Sequence, residues 1–187
     1  MTVKISEFLT KGPVGESRWI AAEKAMYPII IDVEASGFGR GSYPIEVGVA
    51  LGDGSRHCYL VSPVRGWSHW DQAAERVHGI SRAVLESNGR PARDVAWRLN
   101  ALLRRKVVYS DAWSFDMSWL GKLFDAADTH QAFRIADIAE LLDDEQQSRW
   151  AHVKGQVAQE LGLRRHRASG DARILQETWF RLNRRAA

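Results

Sequence analysis

A single cysteine, Cys58, stands among the 187 residues. That excludes an intramolecular disulfide and a cysteine-based zinc cluster, and it suits a reducing compartment. No apolar run approaches the ~20 residues that a bilayer-spanning helix needs. The opening residues, MTVKISEFLTKG, lack the basic start and long apolar centre of a secretory signal. From these absences the expected location is the cytoplasm. Lysine is scarce as well, because twenty of the 26 basic residues are arginine. They crowd the stretch RRHRASGDARILQETWFRLNRR. A planar guanidinium suits bidentate phosphate contacts and stacking on bases, although a solvated helix face explains the same crowding.

What is present describes an ordinary folded chain. Hydrophobic residues make up 45% and charged residues 26%, with a net charge of only +3. This length suits one sizeable core without staples. Eight tryptophans are many for it; most are expected to fill the core, with one or two available to stack on bases.

Along the chain, residues 1–26 read as a peripheral extension and residues 27–187 as one domain. YPIIIDVE, SYPIEVGVALG and RHCYLVSP read as three strands joined by turn chemistry, an antiparallel meander. Short helices broken at Gly79 and Gly89 follow, then an amphipathic helix after Pro91 with Val95, Leu99, Leu102 and Leu103 at helical spacing. KVVYSD is a fourth strand, FDMSWLGKLFDAA a helix, and FRIADIAELL begins extended and turns helical. SRWAHVKGQVAQELGL and GDARILQETWFRLNRR complete the series. Three hairpin strands followed by alternating helices and strands predict an α/β fold with a mixed sheet flanked by helices.

The chemistry concentrates where strand one ends. Asp32 and Glu34 sit at i and i+2, so both project from one face of the strand. Two carboxylates held together repel unless a cation neutralises them, and hard divalent ions favour oxygen ligands. By itself D-x-E is more often surface decoration. Asp116 follows the fourth strand near a helix start, where acids also serve as caps. Asp171 is expected to open the last helix, with His166 in the loop five residues before it.

The ordered set Asp32-Val33-Glu34, Phe115-Asp116 and His166-Arg167-Ala168-Ser169-Gly170-Asp171 resembles the DnaQ-like (DEDDh) 3′–5′ exonuclease family, whose fold is ribonuclease H-like. Gly37, PIEVGVAL, ERVHGIS and FRIADIAELL match secondary segments of that family, so the likeness covers roughly residues 27–183. It implies a metal-dependent hydrolase that removes nucleoside 5′-monophosphates from the 3′ end of single-stranded nucleic acid, DNA or RNA. Two Mg²⁺ or Mn²⁺ ions would be held by Asp32, Glu34, Asp116 and Asp171, with His166 as general base. Phe38 would lie against the terminal base, or else pack at the end of its own β-strand, and Ala35, Ser36 and Gly37 would let the nucleic-acid end approach closely. His78 would contact substrate or its own loop, and Arg164, Arg165 and Arg167 would hold the phosphate backbone.

Two departures stand out. YSDAWSFD has Asp111 where the family commonly has asparagine, with one residue more before Asp116, and Trp113 is bulky for that segment. Asp111 is expected to bond the neighbouring backbone. The rival to a nuclease is a non-catalytic ribonuclease H-like module that binds nucleic acid or protein, but no ligand residue has been lost. Residues 1–26 are the extra material that would meet a partner, a second copy of the chain included.

Overall fold

The structure, a computed structural model, describes residues 27–184; the N-terminal extension lies outside them. Branched apolar residues build the strands. β1 (Ile30–Ala35), β2 (Pro44–Ala50) and β3 (Arg56–Leu60) form the expected antiparallel meander. β4 (Val107–Ser110) and β5 (Arg134–Asp137) add on in parallel beyond β1, giving the order β3-β2-β1-β4-β5.

The helices are α1 (Gln72–His78), α2 (Arg82–Asn88), α3 (Ala92–Leu103), α4 (Trp113–Ala126), α5 (Asp144–Leu161) and α6 (Ala168–Asn183). Three of them start earlier than their apolar spacing predicts. α5 begins at Asp144 because Asp143 and Gln146 form a reciprocal cap, with the Asp143 side chain accepting from the Gln146 N–H at 2.8 Å. α4 begins at Trp113. α6 begins at Ala168, so Asp171 lies inside its first turn rather than opening it.

The period-2 alternation of β1 sorts its side chains between two layers. Ile31, Val33 and Ala35 join Val47, Val49 and Val108 under Leu99 and Leu103 of α3 and Leu120 and Leu123 of α4. Each of the valine, leucine and isoleucine side chains, fully buried, contributes about 1.5–3 kcal/mol. Ile30, on the opposite face, packs against Ala172 and Leu175 of α6. Asp32 and Glu34 share that face with Ile30, so the fold aims them at α6.

The approach of α6 depends on Gly48, which pairs with Asp32 across the β1–β2 ladder. A Cβ at this position would lie 2.1 Å from the Ala168 carbonyl carbon. Only a residue without a side chain lets the first turn of α6 rest on the sheet here.

Candidate active site

Asp32, Glu34, Asp116, His166 and Asp171 come from three separate parts of the chain and line one cleft of about 570 Å³. Strand β1 supplies the first two. Asp116 arrives from the first turn of α4 and is 1% exposed, and its carboxylate accepts a hydrogen bond from the Ser110 hydroxyl at the end of β4. Asp171 arrives from α6, accepting from the His166 backbone N–H at 2.7 Å. This last bond closes the loop between α5 and α6 and sets His166 beside the acids. His166 has φ of 59°, a left-handed conformation that costs a non-glycine residue about 1–3 kcal/mol. Glu34, His166 and Asp171 each present a ligand atom, all within 4.8 Å of one another.

Electrostatically the site is acid-rich and short of cations. Burial, followed by the charges of Asp116, Glu34, Asp171 and Asp111, holds the Asp32 carboxyl well above the usual range. Burial, then Asp171 and Glu46, pushes Glu34 up to about 7. Asp116 rises to about 7 mainly through burial, against the opposing hydrogen bond from Ser110. Asp171 is raised by burial and partly relieved by the His166 N–H. Among the described residues, none of these four acids forms an ion pair with lysine or arginine. Buried carboxylates left unpaired are costly, and an oxygen set with one imidazole beside it fits hard divalent cations.

One wall of the cleft is aromatic. Phe38 is 69% exposed and meets Phe115 edge-on at 5.4 Å between ring centroids, with Trp119 at 5.8 Å. The loop that carries Phe38 is anchored from α4, where the Trp119 indole N–H donates to the Ser42 hydroxyl at 3.0 Å and Lys122 donates to the Ser42 carbonyl. Sequence reasoning named Phe38 but missed Phe115 and Trp119 as its neighbours. Their i, i+4 spacing on one helix was the available signal. Ala73, Ala74 and Val77 of α1 also line the cleft.

The other expected contacts divide. Ala35, Gly37 and His78 line the cleft, whereas Ser36, Arg164, Arg165 and Arg167 do not. The Ser36 hydroxyl bonds the His69 ring at 2.9 Å and accepts from the Tyr43 N–H, while the Ser36 N–H donates to the Tyr43 carbonyl. Its hydroxyl and its N–H therefore hold the turn. Gly37 has φ of 136°, and a Cβ on it would lie 2.6 Å from that of Asp71. His78 accepts from the Ile80 N–H through Nδ1, which makes it a neutral tautomer with its proton on Nε2. Burial lowers its pKa, and Nε2 has no partner.

Arg167 is committed to the fully buried Glu46 rather than free for phosphate. Arg164 lays its guanidinium against Gly79 at the end of α1. Asp111 pairs with Lys154 of α5 instead of the neighbouring backbone.

No family model matches this chain, and no curated protein does. Solved structures do. Escherichia coli exonuclease I in complex with a dT13 oligonucleotide superposes with a TM-score of 0.65 at 12% identity, over 85% of this chain and 41% of that one. The zinc-bound form of the E. coli exonuclease I–single-stranded DNA complex gives a TM-score of 0.63 at 12% identity, over 83% and 40%. A moderately thermophilic exonuclease I from Methylocaldum szegediense gives 0.59 at 12% identity, over 85% and 41%. The chain thus spans about two fifths of the length of these exonucleases. The likeness establishes the fold: a mixed five-stranded sheet flanked by helices, the ribonuclease H-like architecture that the sequence predicts.

Proposed function

We infer that the protein is a metal-dependent 3′–5′ exonuclease of the DnaQ-like (DEDDh) type, acting on single-stranded DNA or RNA. One observation carries this reading: four acids from β1, α4 and α6 converge on one cleft, with His166 beside them and no lysine or arginine among the described residues forming an ion pair with them. The fold supports it, because solved relatives with this architecture are exonucleases crystallised with single-stranded oligonucleotides.

Asp32, Glu34, Asp116 and Asp171 would hold two divalent cations, Mg²⁺ or Mn²⁺. Such ions, when bound, lower the pKa of water and neutralise charge on a phosphoryl group. The chain's own groups supply the remainder. His166 accepts the proton of the attacking water, since imidazole titrates near neutral pH. The bond between phosphorus and the 3′ oxygen of the upstream nucleotide breaks. A nucleoside 5′-monophosphate leaves, and the shortened strand keeps a 3′-hydroxyl. Phe38, Phe115 and Trp119 offer a stacking wall for the terminal base, which tolerates any base because each has a π face.

Chromatographic identification of the products tests this reading. With Mg²⁺ or Mn²⁺, a single-stranded oligonucleotide should yield nucleoside 5′-monophosphates, and Asp116→Asn should yield none. Nucleoside 3′-monophosphates, or full activity in Asp116→Asn, would overturn it.

A further inference from the structure

The segment around α3 carries more positive charge than the whole chain. Residues 90–106, RPARDVAWRLNALLRRK, hold six cations and one acid, Asp94, in a protein whose net charge is +3. The rest of the molecule is therefore net negative. These cations are also unpaired. Arginines of other helices pair with glutamate one turn away: Arg82 with Glu86 in α2, Arg149 with Glu145 in α5, Arg173 with Glu177 in α6. Among the described residues, Arg90, Arg93, Arg98, Arg104, Arg105 and Lys106 form no ion pair. The Arg98 Nε is shielded from solvent and still has no hydrogen-bond partner.

Amid these charges stands Trp97, 67% exposed. α3 turns Val95, Ala96, Leu99 and Leu103 into the core. Arg93, Trp97 and Ala101 recur every four residues on the outer side, and Arg104 ends the same stripe; all four are exposed. Among the described residues no second ring and no cation stacks on the Trp97 indole. A lone exposed apolar side chain is ordinary, but an open indole between unpaired arginines has the composition of a stacking platform in a basic track. The turn after α3 is fixed as well. Arg105 has φ of 60°, unfavourable for a residue with a side chain, and its N–H donates to the Ala132 carbonyl at 2.8 Å. None of these residues lines the acid-rich cleft, and α3 covers the face of the sheet opposite α6.

We propose that the outer face of α3 is a second nucleic-acid-binding surface, which holds a single strand without cutting it. Trp97 stacks on a base, and Arg93 and Arg104 hold phosphates to either side. The class of polymer rests on the exonuclease reading; the binding itself does not depend on the chemistry of the cleft. An acidic protein segment would match the charge but brings no base to the indole, so the exposed tryptophan favours nucleic acid.

Fluorescence anisotropy of a long 5′-labelled single strand of DNA, in EDTA at pH 8, isolates this surface, because the metal-free acids of the cleft repel phosphate. Trp97→Ala should weaken binding about tenfold, the scale of one stacked base, and Trp97→Phe, which keeps a ring, should recover most of the loss. Replacing Arg93 and Arg104 together by serine should lessen the slope of log affinity against log salt by about 1.4, the share of two phosphates on a single strand. All three change exposed side chains, so their melting temperatures should match that of wild type. The surface is overturned if wild type binds no strand in EDTA, or if Trp97→Ala binds as tightly as wild type. It is overturned equally if polyglutamate, charged but without bases, binds wild type as tightly as the strand does. Wild-type protein that binds with these dependences, yet releases no mononucleotide in Mg²⁺ or Mn²⁺, defeats the exonuclease reading and leaves the surface standing.

Discussion

The Arg167 guanidinium closes on the Glu46 carboxylate from two nitrogens, Nη2 at 2.6 Å and Nε at 3.1 Å. Glu46 stands directly across the β1–β2 ladder from Glu34, and it also accepts from the Ala168 N–H at 2.8 Å. Two carboxylates opposite each other in a sheet destabilise it. Here one is neutralised by the residue that precedes α6, so the same pair fastens that helix to the sheet. His166 is the next residue towards the N-terminus and Asp171 lies one turn into α6. The pair therefore sets the position of His166 and Asp171 without itself lining the cleft.

Arg167→Met leaves Glu46 buried and unpaired. It should cost about 1–3 kcal/mol, the penalty for leaving a buried acceptor without its partner, and should lower kcat as the first turn of α6 loosens. Urea unfolding checks the first effect and steady-state kinetics the second. Unchanged stability would mean that Glu46 has no need of its partner.

His166→Ala should reduce kcat by about 10²–10⁴ with KM little changed, the signature of a lost general base. Single-turnover kinetics at saturating substrate measures this directly. A fall of less than tenfold would reduce His166 to a positioning group.

The five residues that meet in the cleft were legible as a candidate set because each lies in a short local pattern. D-x-E at a strand end, an acid near a helix start and a histidine before a last helix all lie within short windows. The sheet followed from branched runs and turn residues in the same way. Partners far apart in the chain were not legible. Glu46 and Arg167 are separated by 121 residues, and Asp111 and Lys154 by 43. Nothing near Arg167 shows that its charge is already occupied, so a run of arginines reads as phosphate-binding. The start of α5 was missed for a different reason. Its first residues, Asp144 and Glu145, carry no apolar periodicity, and the capping pair alone fixes the boundary.

Phe38→Ala and Phe115→Ala should each raise KM several-fold, and together by about tenfold or more, because exposed aromatic faces contribute about 1–3 kcal/mol per stacked base. Folding stability should change by less than ~0.5 kcal/mol for Phe38→Ala, a surface substitution. Thermal melts and substrate titrations separate the two effects. A large loss of stability with an unchanged KM would make Phe38 a packing residue.

The raised carboxyl pKa values give the metal-free protein a pH dependence of definite sign. Glu34 and Asp116 hold their protons in the folded state up to about pH 7, whereas the unfolded chain releases them near pH 4. Between these values the folded state binds more protons, so these groups make stability fall as pH rises. The melting temperature in EDTA should therefore decrease from pH 5 to pH 8 by an amount equivalent to a few kcal/mol. Adding Mn²⁺ should raise it far more at pH 8 than at pH 5. Melts that rise with pH in EDTA, or an equal metal effect at both values, would contradict the arrangement of acids described above.

The most direct test of the central claim is a cleavage assay on matched single strands of DNA and RNA, labelled at the 3′ or the 5′ end. The strands are incubated with Mg²⁺, Mn²⁺ or EDTA, beside Asp32→Ala protein. The account predicts metal-dependent release of the 3′ label as the first product, a 5′-labelled ladder that shortens one nucleotide at a time, and neither with Asp32→Ala. Internal cuts, release from the 5′ end, or the same products from Asp32→Ala would contradict it.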